Sequence, residues 1–245
     1  MPDSPRYLPM VPGVGAEEPA STAPPVFERV AVVGVGLIGG SIALAARKAW
    51  PSALVIGLDR HEVLERAMVR HAVDVASTDP MIISAADLVV LATPVAEIVR
   101  LLAALPQLLA DEAIVTDVGS VKREVLEAAS ALPARLTFVG GHPLAGMAGS
   151  GFENARTDLF AGRPWLLAPP GAPGDRGRDA LGKLSSFVAG LGAVPVEVPS
   201  AEAHDDLMAS MGRVVASLEA LHPALASPEA LEHLAAAALR RLERP

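Results

Sequence analysis

The 245-residue chain has no cysteine, and its aromatic residues are one tyrosine, two tryptophans and five phenylalanines. The missing cysteines exclude disulfides, thiolate catalysis and zinc-thiolate sites. Excess positive charge is missing as well. The net charge is -8 with a pI near 5.2, so there is no basic face for a phosphate-backbone partner and no nucleic-acid binding is expected. An anionic metabolite would need a local basic pocket. No apolar run approaches the roughly 18 to 20 residues that cross a bilayer, so no membrane partner is expected. The first residues have no basic start and no apolar stretch; they carry Pro2, Pro5, Pro9, Pro12, Pro19, Pro24 and Pro25 among small and acidic residues. That composition reads as a flexible Pro-rich tail over 1–26 and not as a signal peptide, which leaves the cytoplasm as the expected compartment.

What is present is half hydrophobic by count, mostly Ala, Val and Leu in short runs broken by Gly, Pro or charge. From Arg29 the runs become regular. Val30 to Val33 predicts a strand, Leu37 to Trp50 a helix ended by Pro51, Leu54 to Leu58 a strand ending at Asp59, and Glu62 to Arg70 a helix. The alternation continues with strands at Leu88 to Leu91, Ala113 to Thr116 and Thr137 to Val139, and with helices at 95–105 and 121–131. Continuously apolar strands alternating with helices predict an α/β fold with a buried parallel sheet. Trp165 to Ala168 and Val194 to Val198 read as later strands flanking a helix at 178–191, and Pro195 places the last one at an edge. Residues 169–177 read as an exposed Gly/Pro loop. After Pro199 the chain turns to Ala/Leu-rich helices at 201–221 and 228–242, so the expected division is a Rossmann-type domain over 27–199 and a short helical segment over 200–245.

Gly34-Val35-Gly36-Leu37-Ile38-Gly39 follows the first strand and opens the first helix. In that setting Gly34 permits the tight turn, Gly36 admits a pyrophosphate and Gly39 lets helix and strand approach, while the helix N-terminus at Leu37 and Ile38 offers free N–H groups. Asp59, twenty residues beyond Gly39 at the end of the second strand, would accept both adenosine ribose hydroxyls and repel a 2′-phosphate, which favours NAD over NADP. Arg60 next to it either offers a cation to that phosphate or is a solvated surface arginine. Thr93-Pro94 ends the strand at 88–91, where it is either a cofactor contact or an ordinary strand-ending turn.

Asp117-Val118-Gly119-Ser120-Val121-Lys122 ends the following strand; on spacing alone Ser120 reads as the N-cap of the next helix. His142 follows the strand at 137–139 on the glycine-rich run Gly140-Gly141-His142-Pro143-Leu144-Ala145-Gly146, whose glycines would leave room for a ligand.

These segments, with Ser150-Gly151, Asn154-Ala155 and Leu159-Phe160, resemble the prephenate/arogenate dehydrogenase family over about residues 30–207. The His-Pro-x-Ala-Gly core is the most specific part. The resemblance implies a homodimeric, NAD-dependent enzyme that decarboxylates prephenate oxidatively to 4-hydroxyphenylpyruvate, on the route to tyrosine, without a metal. It implies His142 as the catalytic histidine on the substrate's ring hydroxyl and Ser120 as the serine that helps orient both. An imidazole of ordinary pKa, about 6.5, can take that proton near neutrality.

The sequence departs from the family's pattern at Met147 and Ala148, where a hydroxyl and a polar residue are usual, and beyond His204-Asp205, where a Ser-His-Leu-Pro segment and a substrate arginine are expected. Arg213 is a candidate substrate-carboxylate partner but reads better as an exposed helical arginine, and Lys122 is a second candidate with the same alternative; Gly146 is expected near the substrate. His204, His222 and His233 lack metal-ligand spacing and read as surface or packing residues. The alternatives are an arogenate dehydrogenase, another NAD(P) oxidoreductase of the β-hydroxyacid type, which would usually place a lysine on a helix after the cofactor domain, and an NAD-binding protein without catalysis.

Overall fold

The computed structural model describes residues 24–145, 149–169 and 174–221, with side chains as far as 214. The tail at 1–23, Gly146, Met147, Ala148, residues 170–173 of the expected 169–177 loop, His222, His233 and the helix expected at 228–242 lie outside the described residues.

Eight strands form one sheet in the order β3-β2-β1-β4-β5-β6-β7-β8. The strands are β1 (Arg29–Val33), β2 (Leu54–Leu58), β3 (Val75–Ser77), β4 (Leu88–Leu91), β5 (Ala113–Asp117), β6 (Leu136–Pro143), β7 (Pro164–Ala168) and β8 (Val194–Glu197). Between them run α1 (Leu37–Ala49), α2 (His61–Val69), α3 (Val95–Leu108), α4 (Arg123–Ala129) and α5 (Asp175–Gly190); α6 (Ala201–Leu221) follows β8. Every neighbouring pair is parallel except β6 with β7. The α/β reading therefore stands, and the crevice between β1 and β4, where strand order reverses, is the ligand edge of such a sheet.

The apolar strands are explained by burial on both faces. Val30, Val32, Leu88 and Val90 point into a core shared with α1, α2, α5 and Phe152 to Phe160. Ala31, Val33, Val89 and Leu91 point into a second core under α3 and α4. β8 is the edge strand that Pro195 requires.

Three expectations are corrected and one strand, β3, is added. Helix α5 begins at Asp175, inside the loop expected over 169–177. Helix α3 runs through Pro106 to Leu108 instead of stopping before it. Strand β3 has only three residues, half exposed, too few for an apolar pattern to mark. Strand β6 continues past Val139 to Pro143 because β7 pairs with its end, His142 opposite Leu166, so His142 stands on a strand and not on a loop. Helix α6 packs Leu207 and Met208 against Leu166, Ala168 and Val198, beside α4.

Candidate active site

The glycine loop has the form that its sequence requires. Gly34 has φ +91°, and a Cβ there would lie 2.7 Å from the Ala92 carbonyl oxygen, so only glycine lets the β1 turn pass the end of β4. A Cβ on Gly39 would lie 1.9 Å from the Gly34 carbonyl oxygen, whereas one on Gly36 would meet nothing within 4 Å. The open space is thus above Gly36, the N-cap of α1, which has no side-chain cap. A helix N-terminus beneath open space is suited to a pyrophosphate. Leu37 and Ile38 form its half-buried first turn.

Asp59 is 18% exposed and accepts from the Val35 N–H at 2.6 Å through Oδ2 and from the Arg60 N–H at 2.6 Å through Oδ1. The Arg60 side chain is 84% exposed and reaches that carboxylate only at 4.0 Å, which makes it a solvated arginine. A cavity of about 580 Å³, of ordinary cofactor size, is lined by Gly34, Asp59, Arg60, Thr93 and neighbours. Thr93 Oγ1 is buried there without a hydrogen-bond partner, and Pro94 is the N-cap of α3. A buried hydroxyl lacking a partner is costly unless a ligand supplies one, so the residues present fit a dinucleotide. A larger cavity of about 670 Å³ lies between α4, β6 and the starts of α5 and α6. Its rim includes Pro169 and Gly174, which flank residues outside the description, and it holds none of the candidate residues.

At the ends of β5 and β6 the glycines have a different use from the one expected. Lys122 and Asp117 are both 0% exposed, and Lys122 Nζ donates to Asp117 Oδ2 at 2.5 Å. The Gly119 N–H donates to the same oxygen at 2.8 Å and the Gly141 N–H to Oδ1 at 3.0 Å. A Cβ on Gly141 would lie 2.5 Å from the Asp117 carbonyl oxygen, and one on Gly140 3.0 Å from Lys122 Cδ. The Gly140-Gly141 pair therefore makes room for a buried ion pair, not for a ligand. Lys122, a candidate carboxylate partner above, is corrected: its charge is already committed to Asp117. Burial pushes the Asp117 carboxyl up and the Lys122 ammonium down, each opposed by the other.

Ser120 is exposed on the loop between β5 and α4, and among the described residues it has no hydrogen bond with His142. It is not the N-cap of α4; that position is Lys122, with no side-chain cap of its own. The free N–H groups of Lys122 and Arg123 instead donate to Asp205 of α6, to Oδ1 at 2.8 Å and Oδ2 at 3.0 Å. Asp205 caps α4 from another helix, a long-range substitute for the local serine cap. Arg213 is exposed on α6, where its Nη2 donates to Ser210 Oγ at 2.9 Å.

His142 Nδ1 lies 3.0 Å from His204 Nε2, and His204 Nδ1 lies 2.8 Å from Asp205 Oδ1. His204 is fully buried. The reading of His204 as a surface or packing residue is thus corrected; no local spacing announces it, because its partner is 62 residues away. Burial lowers the His142 pKa to about 3, aided by the Lys122 ammonium and by the repulsion that any charge on His204 would add, so the ring is neutral at all ordinary pH values. The ordinary value expected from sequence does not apply. Burial lowers His204 too, against its bond to Asp205. Burial alone would raise the Asp205 carboxyl, but the bonds from His204 and from the Lys122 and Arg123 N–H groups hold it below its usual range.

Residues 42–197 match the family model described as prephenate dehydrogenase, nucleotide-binding domain. The chain belongs to the prephenate dehydrogenase family. It is 37% identical over 182 residues to the prephenate dehydrogenase of Bacillus subtilis (strain 168), covering 73% of this chain and 48% of that one. The crystal structure of Synechocystis arogenate dehydrogenase superposes with a TM-score of 0.69 at 32% identity, over 81% of this chain and 70% of that one. Prephenate dehydrogenase from A. aeolicus, in complex with hydroxyphenyl propionate and NAD+, gives 0.69 at 28% identity, over 82% and 71%. The chain spans about half the length of the curated prephenate dehydrogenases it matches. The glycine loop at 34–39 precedes the matched stretch, so its assignment stands on its own geometry.

Proposed function

We propose that the chain is an NAD-dependent prephenate dehydrogenase that converts prephenate to 4-hydroxyphenylpyruvate, carbon dioxide and NADH. The observation that carries this reading is His142: a neutral imidazole at the ligand edge of a dinucleotide sheet, with Nδ1 bonded and Nε2 without a partner among the described residues. Gly34 to Gly39, Asp59 and Thr93 are the residues that would hold NAD, which would supply the hydride acceptor. As hydride leaves the hydroxyl-bearing ring carbon, that hydroxyl becomes the O–H of a protonated carbonyl, a strong acid. A base with a pKa of about 3 therefore suffices to take the proton. Loss of the ring carboxylate as carbon dioxide restores aromaticity, and the proton returns to the phenolic oxygen. Ser120, exposed on the loop between β5 and α4, is proposed to orient the hydroxyl. Gly146 and Arg213 remain the proposed substrate contacts.

The test is NADH formation from prephenate and NAD, with arogenate and NADP as parallel reactions. Prephenate turnover is expected, and NAD is expected to be preferred about tenfold or more, because Asp59 would face a 2′-phosphate. Asp59→Asn should narrow that preference. The Synechocystis neighbour favours arogenate as a second reading; turnover with arogenate alone would select it. NAD binding without any turnover would select the non-catalytic alternative. The homodimer belongs to the same proposal, and a monomeric mass in solution at micromolar concentration would remove it.

A further inference from the structure

The link between α6 and the end of β6 has directional consequences that follow from hydrogen-bond chemistry. Asp205 accepts three hydrogen bonds, from the Lys122 N–H, the Arg123 N–H and His204 Nδ1, so it is an ionised acceptor with no proton to give. His204 must then carry its proton on Nδ1. Buried and neutral, it has only a lone pair on Nε2. The atom 3.0 Å from that lone pair, His142 Nδ1, has to be the donor. His142 is left with its proton on Nδ1 and its lone pair on Nε2.

We propose that His204 and Asp205 are positioning residues that fix His142 in the Nδ1–H tautomer and so present the Nε2 lone pair as the base. The proposal rests on the reading of His142 as the base of the dehydrogenase reaction, and it adds two residues of the C-terminal helix to that machinery. Free histidine prefers the opposite tautomer, with the proton on Nε2, in which no lone pair would face the substrate hydroxyl. Burial is the main force that keeps both rings neutral. The Lys122 ammonium, bound to Asp117 on β5, also opposes protonation of both, whereas Asp205, bonded to His204, and Asp117 pull the His204 ring the other way. An imidazolium at position 204 would donate from Nε2 and reverse the tautomer of His142. The tilted rings, with centroids 5.1 Å apart and planes at 57°, leave no room for a water between the two nitrogens at 3.0 Å.

Long-range 1H–15N correlation spectra of the 15N-histidine-labelled chain read the tautomer directly, with the His142 signals identified by their loss in His142→Asn. The wild type should give the Nδ1–H pattern at pH 8, above the ordinary histidine range, where His204 is neutral. His204→Phe, which removes the acceptor, should shift His142 to Nε2–H. It should lower kcat with prephenate at least about tenfold with little change in KM. His204→Gln, whose amide oxygen can accept the same N–H, should keep the wild-type pattern and most of kcat. A wild-type His142 protonated on Nε2 would overturn the proposal, and so would a His204→Gln chain that is folded but shows the His204→Phe pattern. Because the spectrum needs no turnover, an Nδ1–H pattern in a chain without activity supports the tautomer assignment and counts against the dehydrogenase reading alone.

Discussion

His142→Asn is expected to reduce kcat for prephenate by about a hundredfold or more, the usual contribution of a positioned general base, while the affinity for NAD stays within about twofold of the wild type. The split follows from geometry. His142 lies at the end of β6, whereas the glycine loop, Asp59 and Thr93 line a separate stretch of the edge at β1, β2 and β4. An asparagine at this position can still hydrogen-bond His204 but cannot hold a proton. The pH dependence carries its own signature. Because the His142 pKa is lowered to about 3, the neutral, active form persists as pH falls through 6.5, and kcat should show no His142 limb there. The same shift has a cost for stability. Between about pH 3 and 6.5 the unfolded chain binds a proton at this position that the folded chain refuses, so stability rises with pH across that window. The asparagine variant should be less sensitive to acid there. A kcat unchanged in the variant, or a wild-type limb near 6.5, would remove His142 from the role of base.

The parts of the fold that sequence carries are those governed by local rules. Alternating strands and helices come from burial on both sheet faces, and the glycine loop comes from a turn that a Cβ would block at Gly34 and Gly39. The edge position of β8 follows from Pro195, which has no N–H to donate to a neighbour. What sequence did not disclose depends on partners distant along the chain. Ser120 has the local look of an N-cap, but that end of α4 is satisfied by Asp205, 83 residues away from Lys122. His204 has no local pattern at all, and its role follows only from α6 lying against β7 and α4. The glycines around His142 were legible as space, but their occupant, the Lys122 side chain, was not.

The buried pair of Asp117 and Lys122 is the feature whose loss should cost the most stability. Lys122→Met keeps the length and apolar stem of the side chain but leaves the Asp117 carboxylate, with 0% exposure, facing two backbone N–H groups and no cation. Breaking one side of a buried pair costs about 3–5 kcal/mol, which in a chain of this size lowers Tm by about 6–20 °C. Asp117 then has no ammonium to oppose the upward push of burial, so its folded pKa lies above its unfolded value near 3.8. A raised folded pKa gives stability that is present at low pH and lost as pH rises through it. The deficit of Lys122→Met should accordingly be smallest near pH 4 and grow towards pH 8, opposite in sign to the His142 effect. Adding Asp117→Asn to Lys122→Met removes the stranded charge and should recover much of the loss, a non-additivity expected of two groups in contact. Thermal unfolding of the two single variants and the double variant at pH 4.5 and pH 8 measures this cycle. If the single and double variants were equally destabilised, the pair would be contributing packing alone. The clamp that joins β5, β6 and the start of α4 would then not depend on charge.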